Sequence, residues 1–148
     1  MASEIFSRQR SKTLVTGLSS DSHTWNLIFL QLYLEERGHE VVNLGPCVPD
    51  GLLVSECLRT SPDLVLMSSV NGHGRSDGRR VVRKLREQEE LEQTPIIIGG
   101  KLGISGRQSD LDLKGLIDSG FDAVFDDNAG SAGFATFLEE QEAQEQLA

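Results

Sequence analysis

The 148-residue chain has few cysteines, little aromatic mass and no long apolar run. Its two cysteines, Cys47 and Cys57, form no CxxC pair, and together with His23, His39 and His73 they show no paired ligand spacing. This argues against a disulfide framework and against a zinc site, because structural zinc takes its ligands at short characteristic intervals. Both cysteines are expected to be packing residues with free thiols. No stretch of about 18 apolar residues exists, so no transmembrane helix is expected. The chain opens with no apolar secretion signal, which gives a cytoplasmic location as the expectation. Positive charge is also scarce: 14 Lys and Arg stand against 23 Asp and Glu, a formal net charge of −9. The basic residues that do cluster, between Arg75 and Arg86, are followed directly by Glu87, Glu89, Glu90 and Glu92. No basic stripe is available to track a phosphate backbone, so no nucleic-acid partner is expected. The charge itself reads as solubility.

What is present is a regular alternation of two kinds of segment. The length fits one domain, 1–148, with a polar tail over residues 1–11. Lys12–Leu18 reads as a strand, and Asn26–Arg37 has apolar residues at helical spacing and stops at Gly38. Glu40–Leu44 is a second strand, and Gly51–Arg59 a helix opened by Pro49 and Asp50. Asp63–Met67 is an apolar run suited to a buried parallel strand, followed by a charged amphipathic helix over Asp77–Leu91. Pro95–Ile98 is the fourth strand, Leu111–Ser119 a helix, Phe121–Phe125 a short fifth strand, and Ser131 to about Gln144 a closing helix. Strict alternation with short connections predicts a doubly wound α/β domain. With right-handed crossovers, a flavodoxin-like (Rossmann-like) five-stranded parallel sheet of order 2-1-3-4-5 is expected.

On such a sheet three unusual loops reach the same edge. They hold Ser19–Thr24 after strand 1, Ser68–Gly74 after strand 3 and Gly99–Gly103 after strand 4. Small and polar residues there point to a ligand that approaches the backbone closely, beyond the carboxyl ends of the strands. Within the first loop Asp21 and His23 are two apart. A carboxylate that accepts a hydrogen bond from one imidazole nitrogen leaves the other for a metal and raises its basicity. One imidazole is too little for a bare ion but enough for a metal already held by a macrocycle. His39, after Gly38 at a helix end, is expected on the surface, and His73 at the rim of the second loop. A Walker loop and a dinucleotide fingerprint are both missing from where they would have to stand.

These residues carry a family resemblance. Asp21-Ser22-His23 resembles the start of the DxHxxG motif of B12-binding domains, Ser68-Ser69-Val70 their SxL motif with Val for Leu, and Gly99-Gly100 their GG motif. The likeness runs from about Lys12 to Leu138. Val42–Gly45 (VNLG), the SSVNGHG loop and the lack of a helical cap are similar to the small (sigma) subunits of glutamate mutases. The resemblance implies adenosylcobalamin (coenzyme B12) as cofactor, bound with its own benzimidazole base off cobalt and its nucleotide tail in a slot of the sheet. It implies His23 as lower axial cobalt ligand and Asp21 as its hydrogen-bond partner, with Ser20, Ser22 and Thr24 flanking them. Ser68 would bond the tail nitrogen, and Ser69 and Val70 would line the slot. Gly99 and Gly100 would leave room for the tail, and Lys101, Leu102 and Gly103 would continue that wall.

The reaction implied is carbon-skeleton isomerisation of glutamate and 3-methylaspartate. No Arg clamp for two carboxylates stands near the loops, so the amino-acid substrate is expected on a larger TIM-barrel catalytic subunit, with this chain inactive alone. A corrinoid carrier for methyl transfer and a non-catalytic B12-binding module are the alternatives. A response-regulator receiver shares the fold but needs an acidic cluster after strand 1 and an Asp ending strand 3, where Ser68 stands. The motif's final Gly is Asn26 here, a residue type that tolerates positive φ and caps helices.

Overall fold

The computed structural model describes residues 11–22, 24–69, 74–100, 110–126, 137–140 and 143. The strands are β1 (Lys12–Gly17), β2 (Glu40–Asn43), β3 (Leu64–Ser69), β4 (Ile96–Gly100) and β5 (Ala123–Asp126). The helices are α1 (Trp25–Glu36), α2 (Asp50–Thr60), α3 (Gly74–Arg86) and α4 (Asp110–Ser119). All pairings are parallel and the order is β2-β1-β3-β4-β5, as the alternation predicts. β3 is buried at every position, which is why LVLMSS carries no charge and no polar alternation.

Strand alternation sends successive side chains to opposite faces and builds two cores. Leu14, Val65, Met67, Ile96 and Ile98 pack with Leu53 and Cys57 of α2, Val81, Val82 and Leu85 of α3, and Leu116 of α4. Val15, Leu64, Leu66 and Ile97 pack on the other face with Leu27 and Leu34 of α1 and with Leu138. The closing helix expected at Ser131–Gln144 is helical at 137–140. α3 lies close on the sheet because residue 78 is glycine: a Cβ there would meet Ile98 Cδ1 at 2.8 Å.

Three expectations need correction. The charged helix begins earlier, at Gly74, and ends at Arg86, with a separate 3-10 turn at Glu89–Leu91. Arg86 accounts for the break: its guanidinium donates to the carbonyls of Leu91 (2.8 Å), Thr94 (2.8 Å) and Gly120 (2.9 Å) and to Asp122 Oδ2 (2.7 Å), so the chain folds back over the helix end. His39 is not a surface residue. It is 8% exposed, and its Nδ1 lies 3.0 Å from Thr13 Oγ1. The turn at Gly38 brings it back over β1. Cys47 is exposed in the left-handed region (φ 53°), whereas Cys57 is fully buried.

Burial, with a smaller contribution from the charge of Glu56, pushes the Cys57 thiol up to about 12. A thiol held protonated and shielded does not attack a disulfide reagent. In the native protein Cys47 is therefore expected to titrate promptly with a thiol reagent at pH 8 and Cys57 only after unfolding. Prompt reaction of both would contradict the packing of α2.

Candidate functional site

The carboxyl ends of β1, β3 and β4 finish level with one another. Gly17 is in register with Ser68, Ser68 with Gly99, and Ser69 with Gly100. Ser68 is thus flanked across the sheet by two residues without side chains, and the row ends at Phe125 of β5. Alternation puts Ser68 on the α1 face with Leu64 and Leu66, and Ser69 on the face of α2 and α3. A Cβ at Gly17 would press on the Gly45 carbonyl oxygen at 3.2 Å, and one at Gly99 on the Phe125 carbonyl oxygen at 3.3 Å. At both glycines the neighbouring backbone would have to shift to admit a side chain.

Ser68 is 2% exposed, and its Oγ accepts a hydrogen bond of 2.5 Å from Asn26 Nδ2. Asn26 is the second residue of α1, and Thr24 is the residue before the helix. The turn or capping role open to an asparagine there is not the one it has, because its φ is not positive and its amide reaches across to β3. The Ser69 hydroxyl is fully buried with no hydrogen-bond partner among the described residues. A buried hydroxyl left this way costs free energy, and such groups concentrate where a ligand or water completes them.

The loop after β1 is held from two sides. Asp21 accepts the Cys47 amide at its carbonyl (2.9 Å), Gly17 donates to the Gly45 carbonyl (3.0 Å), and the Asp21 side chain is 1% exposed. From α3, Asp77 accepts the Ser20 hydroxyl, and Arg80 donates to Ser19 Oγ (2.9 Å). The same guanidinium donates to Asp77 Oδ1 (3.2 Å) and makes two bonds to Asp50 at the start of α2 (2.7 and 3.2 Å), where Lys84 joins at 3.1 Å. Asp50, Asp77 and Arg80 are not among the site residues that the sequence motifs indicate. Their only sequence signals are an acidic residue in the first turn of each helix and the Asp77–Arg80 spacing of three.

Of the residues expected at the site, Ser20, Asp21, Ser22, Thr24, Ser68, Ser69, Gly99 and Gly100 are brought to this one edge. Ser20, Ser22 and Thr24 are exposed, and Asp21, Ser68 and Ser69 are buried. His23, Val70, Lys101, Leu102 and Gly103 lie outside the described residues, as does His73. No group of three or more His, Cys, Asp or Glu able to hold a metal ion occurs among the described residues. No described helix is long and apolar enough to cross a membrane.

The fold and this edge define an open α/β domain with a ligand edge of small and polar residues. The sequence model of the B12 binding domain matches residues 11–121, and the chain belongs to that family. The "Glutamate mutase sigma subunit" of Fusobacterium nucleatum is 29% identical over 116 residues, 78% of this chain and 85% of the relative. That of Carboxydothermus hydrogenoformans is 33% identical over 114 residues, 76% of this chain and 82% of the relative. Among solved structures, a cobalamin-binding protein from Desulfitobacterium hafniense shares the fold at TM-score 0.65 and 22% identity, over 78% of this chain and 53% of that one. The monomethylamine corrinoid protein of Methanosarcina barkeri shares it at 0.67 and 18% identity, over 92% and 62%. So does the Vibrio cholerae chemotaxis protein CheY4, at 0.67 and 15% identity, over 88% and 98%.

Two outcomes follow for the edge. Gly100 has φ +107°, and a Cβ there would fall 2.0 Å from the Ser69 carbonyl oxygen. Gly100→Ala is expected to cost roughly 3 kcal/mol or more in denaturant unfolding, because both strain and a backbone clash oppose it; a neutral result would contradict the β3–β4 register. The Arg80 hydrogen bond, ahead of the other contributions, holds the Asp50 carboxyl below its ordinary value of 3.8. A lowered folded-state value means this contribution is present above 3.8 and is lost as the pH falls through the lowered value. Asp50→Asn should therefore cost about 1 kcal/mol at pH 7, a figure kept small because Arg80 is partly solvated. The gap from the parent protein should close on acidification, as read by thermal unfolding across pH.

Proposed function

We propose that this chain is the cobalamin-holding small subunit of an adenosylcobalamin-dependent carbon-skeleton mutase of the glutamate/3-methylaspartate type. The observation that carries the reading is the meeting of the family's motif residues at one edge, Asp21 with Ser68-Ser69 and Gly99-Gly100, in a chain alignable with over four-fifths of the length of the two sigma subunits above. The described residues suit a corrinoid's nucleotide tail. Ser68 offers a polar contact between Gly17 and Gly99, neither of which carries a side chain, and the orphaned Ser69 hydroxyl lies at the same strand end on the opposite face.

In this reading adenosylcobalamin supplies the organic radical chemistry, and the protein's part is binding and orientation. His23 is the lower ligand of cobalt. Asp21, buried and anchored through its carbonyl to the loop after β2, fixes the imidazole tautomer and raises its basicity. Ser20, Ser22 and Thr24 shape the loop on either side of that pair. Ser68 would meet the tail, Ser69 and Val70 would line its path, Gly99 and Gly100 would leave room for it, and Lys101, Leu102 and Gly103 would continue that wall. The amino-acid substrate belongs on a larger TIM-barrel subunit, with the corrin between the two chains, and this chain alone is inactive. A cytoplasmic location and a single domain over 1–148 complete the reading.

The test is the electron paramagnetic resonance spectrum of cob(II)alamin bound to the protein labelled with ¹⁵N-histidine. A superhyperfine pattern that changes with the label, and is lost in His23→Ala, is the expected result. A spectrum indifferent to the label, or no binding with or without the larger catalytic partner subunit, would overturn the reading.

A further inference from the structure

We propose that Arg80 is a positioning residue for cobalt ligation: through its bond to Ser19 it presets the loop after β1, so that the loop meets the corrinoid already ordered. The inference rests on the cobalamin reading above and concerns a residue outside the family's motifs.

The loop between β1 and α1 is made of small polar residues, and Ser20, Ser22 and Thr24 are exposed. Its backbone is fixed at one point. There the Asp21 amide donates to the Leu18 carbonyl (3.0 Å) and the Asp21 carbonyl accepts the Cys47 amide (2.9 Å). The side chains of the two residues before that point are held from α3. Arg80 Nη2 donates to Ser19 Oγ at 2.9 Å, and Asp77 accepts the Ser20 hydroxyl.

The guanidinium is itself aimed. Its Nε and Nη2 bond the two oxygens of Asp50 at 2.7 and 3.2 Å, and its Nη1 bonds Asp77 Oδ1 at 3.2 Å. The two carboxylate side chains are only 11% and 12% exposed, so they give the fork a fixed seat. All three nitrogens of a rigid plane are used, and the direction left over points at Ser19.

Ser19 lies two residues before Asp21 and four before His23. A loop ordered in advance has less freedom to lose when a ligand binds. Without Arg80 that ordering falls to the corrinoid, and the imidazole is less often in place for cobalt.

The experiment is an anaerobic titration of the ¹⁵N-histidine-labelled parent, Arg80→Ala and Ser19→Ala with cob(II)alamin, under the conditions in which the parent binds. Corrin absorbance gives the affinity. The electron paramagnetic resonance spectrum gives the share of bound cobalt that carries a protein imidazole. Both variants are expected to bind about three- to tenfold more weakly, the range that ordering one further side chain on binding spans. Both should also show a smaller imidazole-ligated share of the bound corrinoid. Ser19→Ala leaves the bonds of Arg80 to Asp50 and Asp77 in place, so its thermal unfolding should match the parent. A purely structural role would reduce the amount of competent protein and leave the ligated share of what binds unchanged. That result, or parental behaviour of Arg80→Ala, overturns the positioning role and leaves the cobalamin reading intact. An effect in Arg80→Ala with none in Ser19→Ala overturns it as well, because Arg80 would then not act through Ser19. No binding by the parent, or a parent spectrum indifferent to the label, overturns the cobalamin reading and this inference with it.

Discussion

The register of β1, β3 and β4 is the constraint on which the other features depend. Parallel strands bring their following loops to one edge, and here the pairing ends them level, with Ser68 between Gly17 and Gly99. The same register assigns Leu64 and Leu66 to the core under α1 and Val65 and Met67 to the core under α2 and α3. A slip of one residue would move Ser68 to the wrong face and turn both cores inside out. Core packing and site geometry are therefore one constraint, and whatever stabilises the sheet also holds Ser68 between its two glycines.

A level strand edge does not by itself order a loop of serines. The segment after β1 exposes Ser20, Ser22 and Thr24 and yet buries the carboxylate of Asp21. A carboxylate withdrawn from water demands fixed surroundings. The two residues before Asp21 are fixed from α3: Arg80 bonds Ser19, Asp77 and Asp50 at once, and Asp77 bonds Ser20 in turn. Each exposed pair in that set is weak alone. As a connected network reaching from α2 and α3 to the β1 loop, it restricts where the loop can go at small cost in side-chain entropy, because one guanidinium serves three partners.

The fold was legible in the sequence because burial leaves a one-dimensional trace. The apolar run of β3, the helical spacing of α1 and the glycine pair that ends β4 are all local patterns. The motif residues were legible for the same reason, being short words at strand ends. What escaped has no local trace. The Arg80 bonds to Ser19 and Asp50 span 61 and 30 residues. The burial of His39 follows from how the chain re-enters β2 beside β1, and a glycine before it does not say whether the imidazole lands outside or against Thr13. Asn26 is a departure from the motif, but its residue type suggests a local turn or cap. Its partner is on another strand, and only the closed sheet brings Ser68 within reach.

The shared fold of a chemotaxis protein and corrinoid proteins shows how little the backbone decides about chemistry. The choice falls to a few side chains at the edge. A receiver needs carboxylates converging at the ends of β1 and β3, which repel one another until a cation or phosphoryl group arrives. Here β3 ends in two hydroxyls, and the nearby carboxylates Asp50 and Asp77 are already committed to Arg80 and Ser20. Asp50 and Asp77 are thus paired within the protein, and the row through Ser68 presents a hydroxyl between two glycines. Hydroxyls and glycines stand where a receiver's β3 carboxylate would be, and their placement follows from the same strand register that orders the core.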